Sequence, residues 1–373
     1  MLPNLRSALE GTTFPWSLSI VGEDQSRKLA ELMHDLRRPY SDSGAGKRIA
    51  SGYPYWGIDP TIEWVRACGD PYYPVMKAGI ETFVHRWVKL QDALEDRPYH
   101  YVSLGPGTGH KDRTVIEALR RGNSSLCYIP VDMSAEMLRL GVHEPIRSLG
   151  LEPGRVIPVQ LDFSLAENLS ALRKVLSNLL GDEPIVFSLL GNTLANFDDD
   201  VGLLQMLVRY LLASDDRMIL EVATTQSLGP QLADRAAEEY RGSDLFTVFV
   251  TSALQSYTDL TIDLGSVAFR GSVEDERAIR VDVIYRNQTD EDLQITLPGY
   301  FGPPTPFRRN DTVLLYITRK YTPAGLRELV DAAEVVIAAE VPWSMGGRDR
   351  GDGGGFGVAT LVLQPAEHRV GAP

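Results

Sequence analysis

The most constraining feature of the chain is an alternation that begins at residue 100. Short apolar runs at 101–104, 126–131, 156–161, 185–190 and 218–222 are separated by amphipathic stretches at 113–121, 134–140, 165–180 and 200–212. An unbroken apolar run suits a strand covered on both faces, as parallel strands are. Strand and helix in strict alternation predict a doubly wound α/β sheet.

The pattern changes after Ala223. A helical stretch at 231–240 leads through 245–257 into 258–270 and 278–286, where apolar and polar residues alternate as in half-exposed antiparallel strands. A helix at 323–333, a strand at 335–341 and a last strand at 356–364 then return to the first pattern, with the Gly-rich 346–355 reading as a mobile hairpin loop. Five alternating strands followed by helix, strand, loop and antiparallel strand is the order of the class I methyltransferase sheet. The expected fold is therefore α/β, a Rossmann-like seven-stranded sheet with a second α+β lobe. The sheet domain is expected over 76–225 and 318–373, and a substrate-binding lobe over 1–75 and 226–317.

The segment Leu104-Gly105-Pro106-Gly107-Thr108-Gly109 follows the first run and precedes a helix, so it can turn tightly and present backbone N–H groups to a ligand. The second run ends in Val131-Asp132-Met133-Ser134, which sets a carboxylate where a ribose offers two hydroxyls. Ser134 could equally cap the next helix. A dinucleotide oxidoreductase would share both features. The third and fourth runs separate the two chemistries: Asp162 with Phe163 suits an adenine amino group and ring face, and Gly191 to Phe197 is a small-residue turn carrying the amides Asn192 and Asn196 at the ligand-binding edge. An Asx turn is the alternative for either amide, and Glu221 reads as an edge-facing acid or a turn residue.

Over most of its length the chain resembles the histidine-specific S-adenosylmethionine (SAM) methyltransferases. Leu104 to Arg113 looks like that family's glycine motif with its downstream Lys111, Tyr128 to Ser134 like its ribose-binding strand end, and Leu190 to Phe197 like its fourth-strand turn. Tyr55 and Tyr72 stand at the spacing of two substrate-contacting tyrosines, and Leu315 to Thr322 resembles the segment joining the second lobe back to the sheet. The resemblance implies a SAM-dependent enzyme releasing S-adenosylhomocysteine, with Gly105, Gly107, Thr108, Lys111, Asp132, Asp162, Phe163 and Gly191 around the cofactor. It implies Tyr55, Tyr72, Asn196, Tyr316 and Thr318 around the substrate, with Tyr55 and Tyr316 nearest the reacting atoms. In the joining segment the family grips imidazole with a glutamate and a serine; here the aligned residues are Tyr316 and Thr318. The family's Tyr-Asp pattern after the fifth strand is also missing from Glu221 to Gln226. An amine-bearing, amino-acid-like substrate other than free histidine is the first expectation. An aromatic oxygen or carbon acceptor is the second, and a catalytically silent SAM-binding protein the third.

Composition narrows the partners. Thirty-seven Lys and Arg against 50 Asp and Glu give a formal charge of -13, with the basic residues scattered, so a nucleic-acid backbone would be repelled and a small molecule is the expected partner. Oligomeric state is not legible. Six histidines lack metal-ligand spacing, His110 reads as a solvent-facing loop residue, and no Gly-x-Ser-x-Gly elbow follows a strand, so neither a metal nor a serine nucleophile is expected. Two cysteines, Cys68 and Cys127, read as core thiols of a reducing compartment. With neither a signal-like start nor a membrane-length apolar run, a cytoplasmic location is expected.

Overall fold

The computed structural model describes residues 19–22, 27–40, 46–70, 79–94, 97–297, 302–344 and 355–366. Its elements run β1 (Ile20–Val21), α1 (Lys28–Leu36), β2 (Lys47–Arg48), a 3-10 turn (Tyr53–Tyr55), α2 (Ile58–Cys68), α3 (Phe83–Leu90), β3 (His100–Leu104) and α4 (His110–Leu119). They continue through β4 (Tyr128–Asp132), α5 (Ala135–Leu149), β5 (Val159–Gln160), α6 (Ala166–Leu180), β6 (Ile185–Leu189), a 3-10 turn (Thr193–Asn196), α7 (Asp200–Leu211) and β7 (Arg217–Thr225). The remainder is α8 (Pro230–Arg241), α9 (Asp244–Tyr257), β8 (Val267–Glu274), β9 (Ala278–Arg286), β10 (Leu293–Ile295), β11 (Thr305–Phe307), β12 (Thr312–Tyr321), α10 (Pro323–Ala332), β13 (Val335–Ser344) and β14 (Phe356–Pro365).

Strands β5, β4, β3, β6 and β7 pair in parallel in that order. Strand β14 then lies antiparallel to β7, and β13 antiparallel to β14 at the edge. That is the seven-stranded class I arrangement. Strands β3, β4 and β6 are buried at every residue, which explains their unbroken apolar runs. One core layer packs Leu169, Leu172, Leu204 and Leu207 of α6 and α7 on one face, and another packs Phe83, Trp87, Val115 and Ile116 of α3 and α4 on the opposite side. A further core gathers Phe246, Phe249, Val281, Val283, Val313 and Leu315 with Leu32, Leu36 and Ala67 from the N-terminal helices.

Three local departures have physical reasons. The third strand, expected over 156–161, shrinks to two residues and an isolated bridge at Val156, because Pro158 has no N–H for the ladder. Helix α5, expected to stop at residue 140, continues through Pro145 to Leu149; the Gly141 carbonyl that Pro145 cannot satisfy accepts the Tyr128 hydroxyl at 3.4 Å. The alternation expected from residue 258 starts at Val267, after a 3-10 turn whose Asp263 side chain accepts the Gly265 N–H at 3.0 Å.

The longest strand not read from sequence is β12; the short β1, β2, β10 and β11 were not read either. All ten of its residues are buried. It runs antiparallel to β9 from Thr312↔Arg286 to Tyr321↔Ala278 with an irregularity between Leu314 and Tyr316, and its last residue pairs in parallel with Thr224 of β7. The lobe sheet β8–β9–β12 and the main sheet are therefore one continuous hydrogen-bonded surface. The expected hairpin loop at 346–355 falls outside the described residues apart from Gly355, and no described helix is long and apolar enough to cross a membrane.

Helix α8 lies directly on β8: a Cβ added at Gly271 would sit 1.9 Å from the Ala233 carbonyl oxygen. Gly271→Ala is expected to cost ~1–3 kcal/mol through overpacking, read as a lower urea midpoint. An unchanged midpoint would mean that this helix does not rest on the strand.

Candidate active site

A cavity of about 740 Å³ opens at the carboxyl ends of β3, β4 and β6, where open α/β sheets bind ligands. It begins at the glycine turn. Gly105, Gly107 and Gly109 have φ of 72°, 56° and 75°, a left-handed conformation that side chains disfavour, and a Cβ at Gly109 would meet the Gly141 carbonyl oxygen at 2.3 Å. Glycine is required there so that the chain can turn at the mouth of the sheet into α4. His110, first in that helix, is exposed.

Lys111, in the first turn of α4, lines the cavity and is ion-paired with Glu221, which lies in the middle of β7 and not at its end as the sequence suggests. Glu221 also accepts Arg86 at 2.8 Å and the Gly191 N–H at 3.2 Å. Burial alone would raise its pKa, but the two cations outweigh that and hold it below the usual carboxylate range. Two cations converge on this one carboxylate, and the buried Asp112 also lies within electrostatic reach of Lys111. Arg86 is fully engaged, donating also to Thr360 at 2.9 Å and to the Gly79 carbonyl at 3.0 Å.

Asp132, at the end of β4, is 7 % exposed, and its Oδ1 accepts the Ser134 N–H at 2.8 Å. Burial, helped by the charge of Asp162, pushes its carboxyl up to about 7. The Ser134 side chain caps α5 by accepting the Met137 N–H, so the capping and the acidic roles fall on different residues. Asp162 follows on the third strand edge. Its Oδ1 accepts the Ser164 N–H at 2.9 Å and the Ser164 hydroxyl at 2.6 Å, and its Oδ2 accepts the ammonium of Lys28 from α1. The Phe163 ring lies beside it, 6.0 Å from Phe197.

The opposite end of the cavity is aromatic. Tyr55 and Tyr316 meet hydroxyl to hydroxyl at 2.9 Å, and Asn196 Nδ2 donates to the Tyr55 oxygen at 3.2 Å. Burial raises the Tyr55 pKa, more than the Tyr316 hydrogen bond lowers it, so it stays a neutral phenol. Trp64, Phe246 and Phe249 wall this end, with the Phe249 ring 5.2 Å from Tyr55 and 6.1 Å from Tyr316. The Asn196 Oδ1 atom is buried without a hydrogen-bond partner, an arrangement that costs ~1–3 kcal/mol unless something supplies a donor. Thr318 is 2 % exposed, and its hydroxyl accepts Asn192 Nδ2 at 3.0 Å, so it braces the β6 turn as well as lining the cavity.

Of the residues singled out in the sequence, Gly105, Gly107, Thr108, Lys111, Asp132, Asp162, Phe163, Gly191, Tyr55, Asn196, Tyr316 and Thr318 all line this one cavity. Tyr72 lies outside the described residues. Sequence reasoning missed Lys28, Trp64, Phe246, Phe249 and Arg86. Phe246 and Phe249, spaced three apart on a helix, carry only the signal of a core face, and Lys28 and Arg86 look like surface charge. The cysteines are half-buried rather than core residues, with Cys68 on the cavity wall. No cluster of three or more potential metal ligands occurs among the described residues.

The glycine turn, the edge carboxylates and the family pattern meet in one place, and comparison with known proteins decides among their readings. The family described as histidine-specific, SAM-dependent methyltransferase matches residues 63–343, well over half of the chain. The chain belongs to that family. It is a SAM-dependent methyltransferase, and SAM supplies an electrophilic methyl group on its sulfonium. Solved structures with a similar arrangement include the CcbJ methyltransferase from Streptomyces caelestis, at 16% identity, covering 88% of this chain and 100% of that one with a TM-score of 0.35. Another is magnesium protoporphyrin IX methyltransferase from Synechocystis with bound S-adenosylhomocysteine, at 10% identity, 84% and 96% coverage and a TM-score of 0.40. Among curated proteins none matches the chain. The residues present fit the cofactor: a glycine-rich turn, a buried carboxylate at the β4 end and the Lys111 ammonium lie along one cavity of suitable size.

Burial pushes the Cys68 thiol up to about 12. Its alkylation by iodoacetamide near neutral pH is expected to run roughly a thousandfold slower than that of a free thiol, in proportion to its thiolate fraction. A rate equal to that of glutathione would mean that water reaches this wall freely.

Proposed function

We propose that this methyltransferase transfers the methyl group to the amine nitrogen of a small, amino-acid-like substrate other than free histidine. The observation that carries the reading is the buried, partnerless Asn196 Oδ1 beside the Tyr55–Tyr316 hydroxyl pair. An N–H donor from a substrate would satisfy that atom. Neutral phenols can then orient the nitrogen lone pair without adding charge, and methyl transfer needs little beyond such placement and exclusion of water. In this reading Tyr55 and Tyr316 stand nearest the reacting nitrogen, and Thr318 and Tyr72 complete the substrate side.

Around the cofactor, the reading assigns Gly105, Gly107, Thr108, Gly191 and Lys111 to the methionine portion. Asp132 accepts the ribose hydroxyls, and Asp162 with Phe163, side by side on the cavity wall, holds adenine. Free histidine is set aside because Tyr316 stands where the resemblance expects a glutamate. A phenol paired to Tyr55 replaces a carboxylate for imidazole, and losing such an acceptor costs a few kcal/mol of recognition. The acidic chain favours small molecules over nucleic acid, and an aqueous, reducing cytoplasm suits it. A second reading, methyl transfer to oxygen or carbon of an aromatic metabolite, is supported by the Trp64, Phe246 and Phe249 wall.

Mass spectrometry of the enzyme incubated with SAM and a panel of amino acids, aromatic amines and phenols tests the proposal. The expected product is an N-methylated amine, with histidine unchanged. Trimethylated histidine would overturn the specificity, and a methylated phenol would establish the second reading. Tyr316→Glu is expected to introduce measurable histidine methylation.

The ribose role predicts a pH dependence. A carboxylate is needed to accept two hydroxyl hydrogens, and the Asp132 carboxyl titrates at about 7 before binding. Affinity for S-adenosylhomocysteine is therefore full above that value and weakens as pH falls through it, by up to about tenfold per unit. Calorimetry across neutral pH reads this directly, and Asp132→Ala should abolish both the affinity and its slope while leaving the fold intact. A flat profile would remove the ribose from Asp132.

A further inference from the structure

We infer that Arg319 is a positioning residue that sets the substrate-facing geometry of Asn196. The inference rests on the reading of Asn196 as the acceptor for the substrate amine.

Arg319 belongs to β12, the strand that also carries Tyr316 and Thr318. Its side chain is 1 % exposed, so its charge must be paired or bonded in every direction. The guanidinium donates to the carbonyls of Ala195 and Phe197, the two residues that flank Asn196, and to the Asp198 carbonyl at 3.0 Å. Glu274 of β8 takes the remaining donors as a two-point partner, through Nε and through Nη2 at 3.0 Å, with Asp200 at 3.8 Å completing the charge balance. Burial would disfavour the charged form, but these carboxylates raise the Arg319 pKa and keep it protonated.

The same strand holds the other end of the turn. Asn192, in the left-handed conformation at φ 66°, donates to the Thr318 hydroxyl at 3.0 Å and to the Arg319 carbonyl at 3.3 Å, while its Oδ1 accepts the Ala223 N–H at 2.7 Å. The segment from Asn192 to Asp198 is thus tied to β12 at its start and at its end. Tyr316 lies on that same strand. Fixing the carbonyls on both sides of Asn196 to the strand that presents Tyr316 fixes the distance between the orphan amide oxygen and the tyrosine pair. A planar fork with several donors can span three carbonyls and a carboxylate, whereas an ammonium cannot.

Arg319→Lys keeps the charge and removes the fork, and Glu274→Gln loosens the guanidinium without touching the turn. Hydrogen exchange of each variant saturated with S-adenosylhomocysteine is expected to show about tenfold faster exchange in peptides covering 192–198, with β6 protected as in the native enzyme. Unchanged exchange in that segment, or an equal loss across β6, overturns the inference. With the amine acceptor found by mass spectrometry, Arg319→Lys should lower kcat about tenfold or more with little change in the KM for SAM. On an Asn196→Ala background it should have no further effect. Additive losses in the double variant, or a loss confined to KM for SAM, sink the positioning role. An Asn196→Ala enzyme with native kcat instead sinks the substrate reading on which it rests.

Discussion

A charge taken out of water has to be paired, and several of the elements around the cavity meet their neighbours at such a pair. Arg86 of α3 and Lys111 of α4 converge on Glu221 of β7. Lys28 of α1 closes on Asp162 beyond β5. Arg319 of β12 joins Glu274 of β8 to the turn after β6, and Arg277, before β9, grips Asp200 of α7 through two bonds at 2.8 and 2.9 Å. Taking away one member of a buried pair strands the other, at ~3–5 kcal/mol, so these contacts act as registers that admit few alternative arrangements.

The pairs divide the cavity into two environments. Toward the glycine turn, backbone N–H groups, the Lys111 ammonium and edge carboxylates make a polar trough suited to a zwitterionic nucleoside. Beyond it, phenols, an amide and aromatic rings make a chamber in which the buried Asn196 oxygen lacks a hydrogen-bond donor. A reaction that moves a methyl group from a cation to a neutral nucleophile fits that division.

Much of the scaffold was legible because local physics repeats along the chain. Buried parallel strands show as unbroken apolar runs, amphipathic helices as a period of 3.6, and the left-handed turn before α4 as three glycines in five residues. Strand β12 was not legible, since Arg319 and Lys320 at its end look like solvent-facing charge although both are buried. The short third strand and the long α5 turned on two prolines, at 158 and 145, whose consequences depend on what the neighbouring backbone finds as a partner.

The sequence by itself determined the class of fold, the family and hence the cofactor, and a set of candidate residues. Each of those follows from residues close together in the chain. Tertiary structure alone decided which side chains share a chamber. Tyr55 meets Tyr316 across 261 positions, Lys28 meets Asp162 across 134, and Arg319 meets the turn after β6 across more than 120. No periodicity carries that information. Such contacts are chosen by how whole layers pack and by the need to pair each buried charge, conditions that exist only once the sheet and its lobe have closed on one another.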